Sequence, residues 1–133
     1  MPKIYLSPST QDWNMYVTGS GSEEYNMNLL ADALVPYLLS NGIQYQRNRP
    51  EMTAGSSIRE ANQGEYDLYL ALHSNAAPEG RYGEERGIIA FYYPGSVGGQ
   101  RAAELIAQEL RKIYPLPNKV TTRPTTSLSL IHI

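Results

Sequence analysis

Asp67-Leu68-Tyr69-Leu70-Ala71-Leu72-His73 decides the fold. After the opening aspartate the run is almost continuously apolar and too short for a helix. It therefore reads as a strand covered on both faces, the kind found in parallel sheets. Gly87 to Tyr93 (G-I-I-A-F-Y-Y) has the same character, and Ile4-Tyr5-Leu6, ended by Ser7-Pro8-Ser9, reads as a buried first strand. Between these lie helical patterns. One spans about Glu23 to Ser40, with an apolar stripe of Met27, Leu30, Ala31, Leu34 and Leu38. Ser20 with Glu23 forms a candidate capping box, Asn41-Gly42 is a stop signal, and Pro36 predicts a kink or a loosened last turn.

A second strand is expected over Ile43 to Arg47 and a short helix over Met52 to Asn62. A further helix opens at Ser96, carries Ala103, Ile106, Ala107 and Leu110 on one face, and ends near Tyr114-Pro115. Strands alternating with helices predict an α/β fold, a mostly parallel sheet flanked by helices on both faces. One domain over residues 1–133 is expected from the length. The tail from Thr121 to Ile133 is assigned no element and Leu128 to Ile133 offers no cap, turn or continuation, so the sheet reads as incomplete at its C-terminus, with the natural protein continuing.

Composition narrows the function classes. Hydrophobic residues make up 41% and charged residues 18%, the balance of a globular protein. A net charge of −2 implies no basic face, so neither nucleic acid nor an anionic membrane is an expected partner. The absence of cysteine removes disulfides, thiolate metal sites and cysteine nucleophiles together. Met1 to Pro8 has no apolar core of a signal peptide, and no stretch approaches the roughly 18 apolar residues of a membrane span. A monomer that depends on other factors for export is expected.

Three segments could carry chemistry. His73 ends the deciding strand, where α/β sheets bind their ligands. Taken alone, a histidine beside an apolar run reads more readily as a hydrogen-bonded core or edge residue. Glu23 and Glu24 open the first long helix, where the macrodipole alone favours acids by about 0.3–1 kcal/mol each. The turn Ser7 to Asp12, containing Thr10 and Gln11, leaves the carboxyl end of the first strand. Its composition is explained by turn formation, but all three segments reach one edge of a parallel sheet. Catalytic zinc takes three protein ligands and keeps a fourth position open. The residues supply one nitrogen ligand, one carboxylate and an incomplete third. Gly98-Gly99 is followed by Gln100-Arg101 and makes no phosphate loop, and no serine sits in a G-x-S-x-G elbow. Most of the eleven tyrosines read as half-buried strand residues, and His132 in the tail is assigned nothing.

Taken in order, the S-P-S-T-Q turn, the helix-opening glutamate, Arg47, Arg59-x-Ala61-Asn62 and Asp67-Leu68-x-x-x-Leu72-His73-Ser74-Asn75-Ala76 resemble the zinc-dependent N-acetylmuramoyl-L-alanine amidases of bacterial cell-wall enzymes and phage endolysins. The similarity covers about residues 3 to 120, and the D-L-x-x-x-L-H-S-N-A segment is its most specific part. The resemblance implies a three-layer amidase-like sandwich and Zn2+ bound by His73 and a helix-opening glutamate. It further implies hydrolysis of the amide between N-acetylmuramic acid and L-alanine in peptidoglycan, in the cell wall or outside the cell. Counting from Leu30-Ala31 selects Glu23 as the ligand, and counting from Asn28 selects Glu24; Glu23 is preferred.

Two departures stand out. The family's first histidine ligand, in a D-P-G-H turn, is replaced here by S-P-S-T, with Thr10 in its place and Gln11 beside it. Neutral oxygens are poor zinc ligands, although a branch of similar proteins carries S-P-S-x-Q turns. The family's catalytic glutamate, on a late strand, is expected beyond the end of this chain. The alternative implied is a catalytically impaired peptidoglycan-binding module. The substrate is expected to lie across the loops after His73 and around Glu79 to Arg86, with Arg47 and Arg59 structural.

Overall fold

A computed structural model describes residues 2–11, 15, 21–74 and 87–126. It has the α/β character expected, with small parallel sheets and three helices. The chain divides into two compact units, Met1–Ser74 and Asn75–Ile133.

The first unit runs β1 (Lys3–Pro8), α1 (Glu23–Ser40), β2 (Gln44–Arg47), α2 (Ala54–Gln63) and β3 (Leu68–Leu72). Its sheet has the order β2-β1-β3, both pairs parallel. Parallel neighbours need a crossover, and α1 and α2 provide the two. Lying in the middle, β1 is buried from Ile4 onward. Its side chains alternate between faces. Ile4 and Leu6 pack with Ala31 and Leu38 of α1, joined by Leu34, Val35, Leu70 and Leu72. On the alternate positions Tyr5 stacks on Tyr69, its register partner, at 5.5 Å between ring centroids. Tyr66 meets Tyr5 edge-on at 5.4 Å. The Tyr5 hydroxyl is buried without a hydrogen-bond partner. Burial, with the Glu60 carboxylate as a smaller contributor, pushes this phenol far above its usual range, and burial likewise raises Tyr69. Asp67 explains its place before the strand: its carboxylate accepts Lys3 N at 2.8 Å while its own N–H donates to Lys3 O at 2.8 Å.

Helix α1 has the expected bounds but a different start. Its N-cap is Ser22, whose hydroxyl accepts Tyr25 N at 3.0 Å, and not Ser20, which lies outside the described residues. Glu23 therefore does not close a capping box. The buried stripe is also rotated: Leu30 is 49% exposed, and Val35 packs in the core instead. Pro36 sits inside a single unbroken helix. At the other end Gly42 takes φ +72°, Gly42 N donates to Leu39 O at 3.1 Å and Ile43 N to Leu38 O at 2.9 Å. This is the Schellman arrangement, which needs a residue in the left-handed region. Arg47 clasps the same helix, donating to Asn28 Oδ1 and Asp32 Oδ1, each at 2.7 Å. The short helix α2 is capped by Thr53, which forms a reciprocal capping box with Ser56.

The second unit contains β4 (Ile88–Tyr92), α3 (Val97–Arg111), a short 3-10 turn (Pro117–Lys119) and β5 (Val120–Pro124). Strands β4 and β5 pair in parallel. Ala103 and Ala107, both fully buried, let α3 approach β4 and β5 closely. The first residues of the tail from Thr121, to which the sequence assigns no element, belong to a strand here. Val120-Thr121-Thr122-Arg123-Pro124 is a strand, supported by β-branched residues that a hydropathy reading undervalues. Residues 127–133, including His132, lie outside the described residues. Among the described residues, no helix is long and apolar enough to cross a membrane.

Candidate metal centre

The carboxyl ends of β1 and β3 and the start of α1 meet at one place in the first unit. Chain order dictates this: β1 and β3 are adjacent and parallel, so their exits share an edge, and the segment leaving β1 enters α1. His73 is the first residue after β3. Glu23 is the first residue of α1, where the helix macrodipole favours a negative charge.

The two side chains touch. His73 Nδ1 lies 3.1 Å from Glu23 Oε1. The same oxygen accepts the backbone N–H of Ser74 at 3.1 Å. Glu23 is 2% exposed and the His73 side chain 14% exposed. A carboxylate this buried requires charged or hydrogen-bonding partners, since desolvating it alone is prohibitive. The imidazole and the acid thus meet, with the carboxylate enclosed rather than facing solvent. Glu24, the competing acid, instead lines a surface cleft with Ser22, Tyr25, Asn28, Leu29 and Asp32.

The turn carrying Thr10 and Gln11 is held against both partners of this pair. Ser9 N donates to Leu72 O at 2.9 Å, one residue before His73. Gln11 N donates to the Ser9 hydroxyl at 3.1 Å, and Gln11 O accepts Glu24 N at 3.4 Å, one residue after Glu23. Thr10 and Gln11 are each half-buried. All three sequence segments thus converge within one unit.

The residues can be tested against zinc. Two ligands on a tetrahedral zinc with bonds of 2.0–2.1 Å stand about 3.3 Å apart. The observed 3.1 Å between His73 Nδ1 and Glu23 Oε1 is close to that edge, so the pair fits two positions of such a site. The third ligand expected at Thr10 or Gln11 lies on the neighbouring turn, whose neutral oxygens are poor zinc donors. Among the described residues, no group of three His, Cys, Asp or Glu side chains gathers. Asp12 and the segment Glu79 to Arg86, expected near substrate, lie outside the described residues. The Ser74 N–H was not legible in the sequence, because a backbone donor leaves no residue-type signal. Ser9 was visible only as a turn residue.

No known family profile, curated protein or solved structure matches this chain.

Proposed function

We propose that the chain is an N-acetylmuramoyl-L-alanine amidase domain, a zinc hydrolase of peptidoglycan. The observation that carries the reading is the contact of His73 with Glu23 at 3.1 Å, the pair selected by the D-L-x-x-x-L-H-S-N-A resemblance and by counting back from Leu30-Ala31. The three-layer amidase sandwich belongs to this proposal. It is supported by the parallel order β2-β1-β3 and by the packing of Ile4 and Leu6 on α1.

His73 and Glu23 would hold the metal. Zinc bound there would supply a Lewis acid for the scissile carbonyl and lower the pKa of water. Ser74 N–H fixes the Glu23 carboxylate, so its charge is oriented before any ligand arrives. The burial of Glu23 keeps water from competing for the same oxygens. The substrate amide approaches over the strand exits, beside the Ser9–Gln11 turn.

One departure favours a second reading. Thr10 stands where the family pattern has a histidine, which weakens the donor set and suits a module that holds peptidoglycan without cutting it. Metal analysis and incubation with purified sacculi separate the two. Near-stoichiometric zinc, lost in His73→Ala, together with release of stem peptides beginning in L-alanine, is the expected result. Retention on sacculi with neither metal nor release establishes the binding module. Absence of metal, release and retention overturns both.

A further inference from the structure

Asn48, just past the carboxyl end of β2, has three oxygens within hydrogen-bond reach of its side-chain amide nitrogen, shared by the two N–H groups. Its Nδ2 lies 3.1 Å from Pro8 O, 3.2 Å from Ser7 Oγ and 3.2 Å from Ser57 Oγ. Its backbone N–H donates to Leu6 O at 3.2 Å, continuing the β1–β2 ladder beyond the strand. Tyr69 of β3 adds its hydroxyl to Ser7 Oγ at 2.9 Å. Ser7 and Ser57 are buried, at 5% and 0% exposure, so these groups depend on one another for satisfaction. One amide therefore joins β1, β2 and α2, and reaches β3 through Ser7.

The bond to Pro8 O has the longest reach. Pro8 ends β1 and begins the turn whose main chain bonds the neighbours of both halves of the metal pair, Leu72 O before His73 and Glu24 N after Glu23. We propose that Asn48 is a positioning residue for the candidate metal centre. It anchors the root of the Pro8–Gln11 turn, and so the spacing of His73 and Glu23, without touching the metal. This rests on the zinc reading above. The requirement is specific to an amide, because Pro8 O only accepts and the group facing it has to donate. An aspartate of the same shape presents oxygen to oxygen there.

The test uses zinc alone, with affinity read by competition against a chromophoric chelator. Asn48→Asp is expected to weaken zinc binding about tenfold or more, the range seen when outer-shell partners of a metal are lost. Ser57→Ala breaks the same network away from the turn and is expected to lower the denaturation midpoint while leaving zinc affinity unchanged. If Asn48→Asp does not fold, the wild-type chain decides. Its Asn48 side-chain amide resonances are expected to shift on zinc addition together with the Gln11 and Glu24 backbone amides. Wild-type affinity in folded Asn48→Asp, or side-chain amide resonances unmoved by zinc, overturns the inference and leaves the zinc reading standing. A wild-type chain that takes up no zinc overturns both.

Discussion

Oxygen Oε1 of Glu23 accepts the backbone N–H of Ser74 at 3.1 Å, which ties the first turn of α1 to the exit of β3 across 51 residues of sequence. The carboxylate is thereby fixed by main chain as well as by imidazole, and its role is separable from that of its neighbour. In Glu23→Gln, zinc affinity is expected to fall by more than the roughly 10–100-fold typical of an outer-shell loss. Glu24→Gln, altering a residue of the surface cleft, is expected to leave it unchanged. Chelator competition reads both, and equal losses would reassign the ligand.

The buried tyrosines set the alkaline limit of the fold. Tyr5 and Tyr69 hold their protons more tightly folded than unfolded, because burial disfavours the phenolate. Their contribution to stability is complete below the ordinary phenol value of about 10 and is lost as pH rises through it toward the raised folded values. Absorbance titration of the phenolates is expected to show Tyr5 and Tyr69 ionising late, together with unfolding. Tyr5→Phe, which removes a buried hydroxyl lacking a partner, is expected to raise stability by up to about 1 kcal/mol and to soften the alkaline loss. A clear destabilisation would mean that the hydroxyl is bonded in solution.

Two glycines allow a graded backbone test. At Gly42, with φ +72°, an added Cβ meets nothing within 4 Å, so Gly42→Ala carries only the left-handed penalty of about 1–2 kcal/mol. At Gly87, with φ +140°, a Cβ would stand 2.6 Å from Lys119 O. That contact is with main chain of the 3-10 turn, one residue before β5, so Gly87→Ala is expected to cost more. Urea denaturation midpoints rank the pair, and the reverse order would contradict the β4–β5 register.

Arg47 earns its place through geometry more than charge. Its fork reaches Asn28 O at 3.2 Å and Asn28 Oδ1 at 2.7 Å as well as Asp32. Asp32 is 63% exposed, so Asp32→Asn is expected to change stability by under about 1 kcal/mol. Arg47→Lys loses the bonds to Asn28 and is expected to cost about 1–2 kcal/mol in the same denaturation measurement. Comparable losses in the two variants would place the weight on the ion pair.

Strands and helices were legible where apolar runs or stop signals are dense. Asp67 to His73 gave β3 within a residue at each end, and Asn41-Gly42 placed the end of α1. The cap was misread because Ser20 and Glu23 satisfy the S-x-x-E spacing, whereas Ser22 caps through the main chain of Tyr25 and leaves no such signature. The stripe was misread because Leu30 and Val35 both suit a helical period, and only the packed sheet chooses between them. Strand β5 has a single strongly apolar residue, Val120, and draws its propensity from two threonines. Within the site, His73 and Glu23 were visible as residue types at strand and helix ends. The Ser74 donor and the Asn48 clamp arise from tertiary placement, and no spacing rule contains them.

The position of β1 has a consequence for biogenesis. Strand β1, which precedes both of its neighbours in the chain, lies at the centre of the β2-β1-β3 sheet, and Ile4 finds its partner Leu68 only after 64 further residues exist. Until then Ile4-Tyr5-Leu6 leaves the ribosome as an apolar strand with one edge unsatisfied, the state most exposed to intermolecular association. Completion of this sheet therefore waits on the emergence of β3, a non-local pairing of the kind that slows folding.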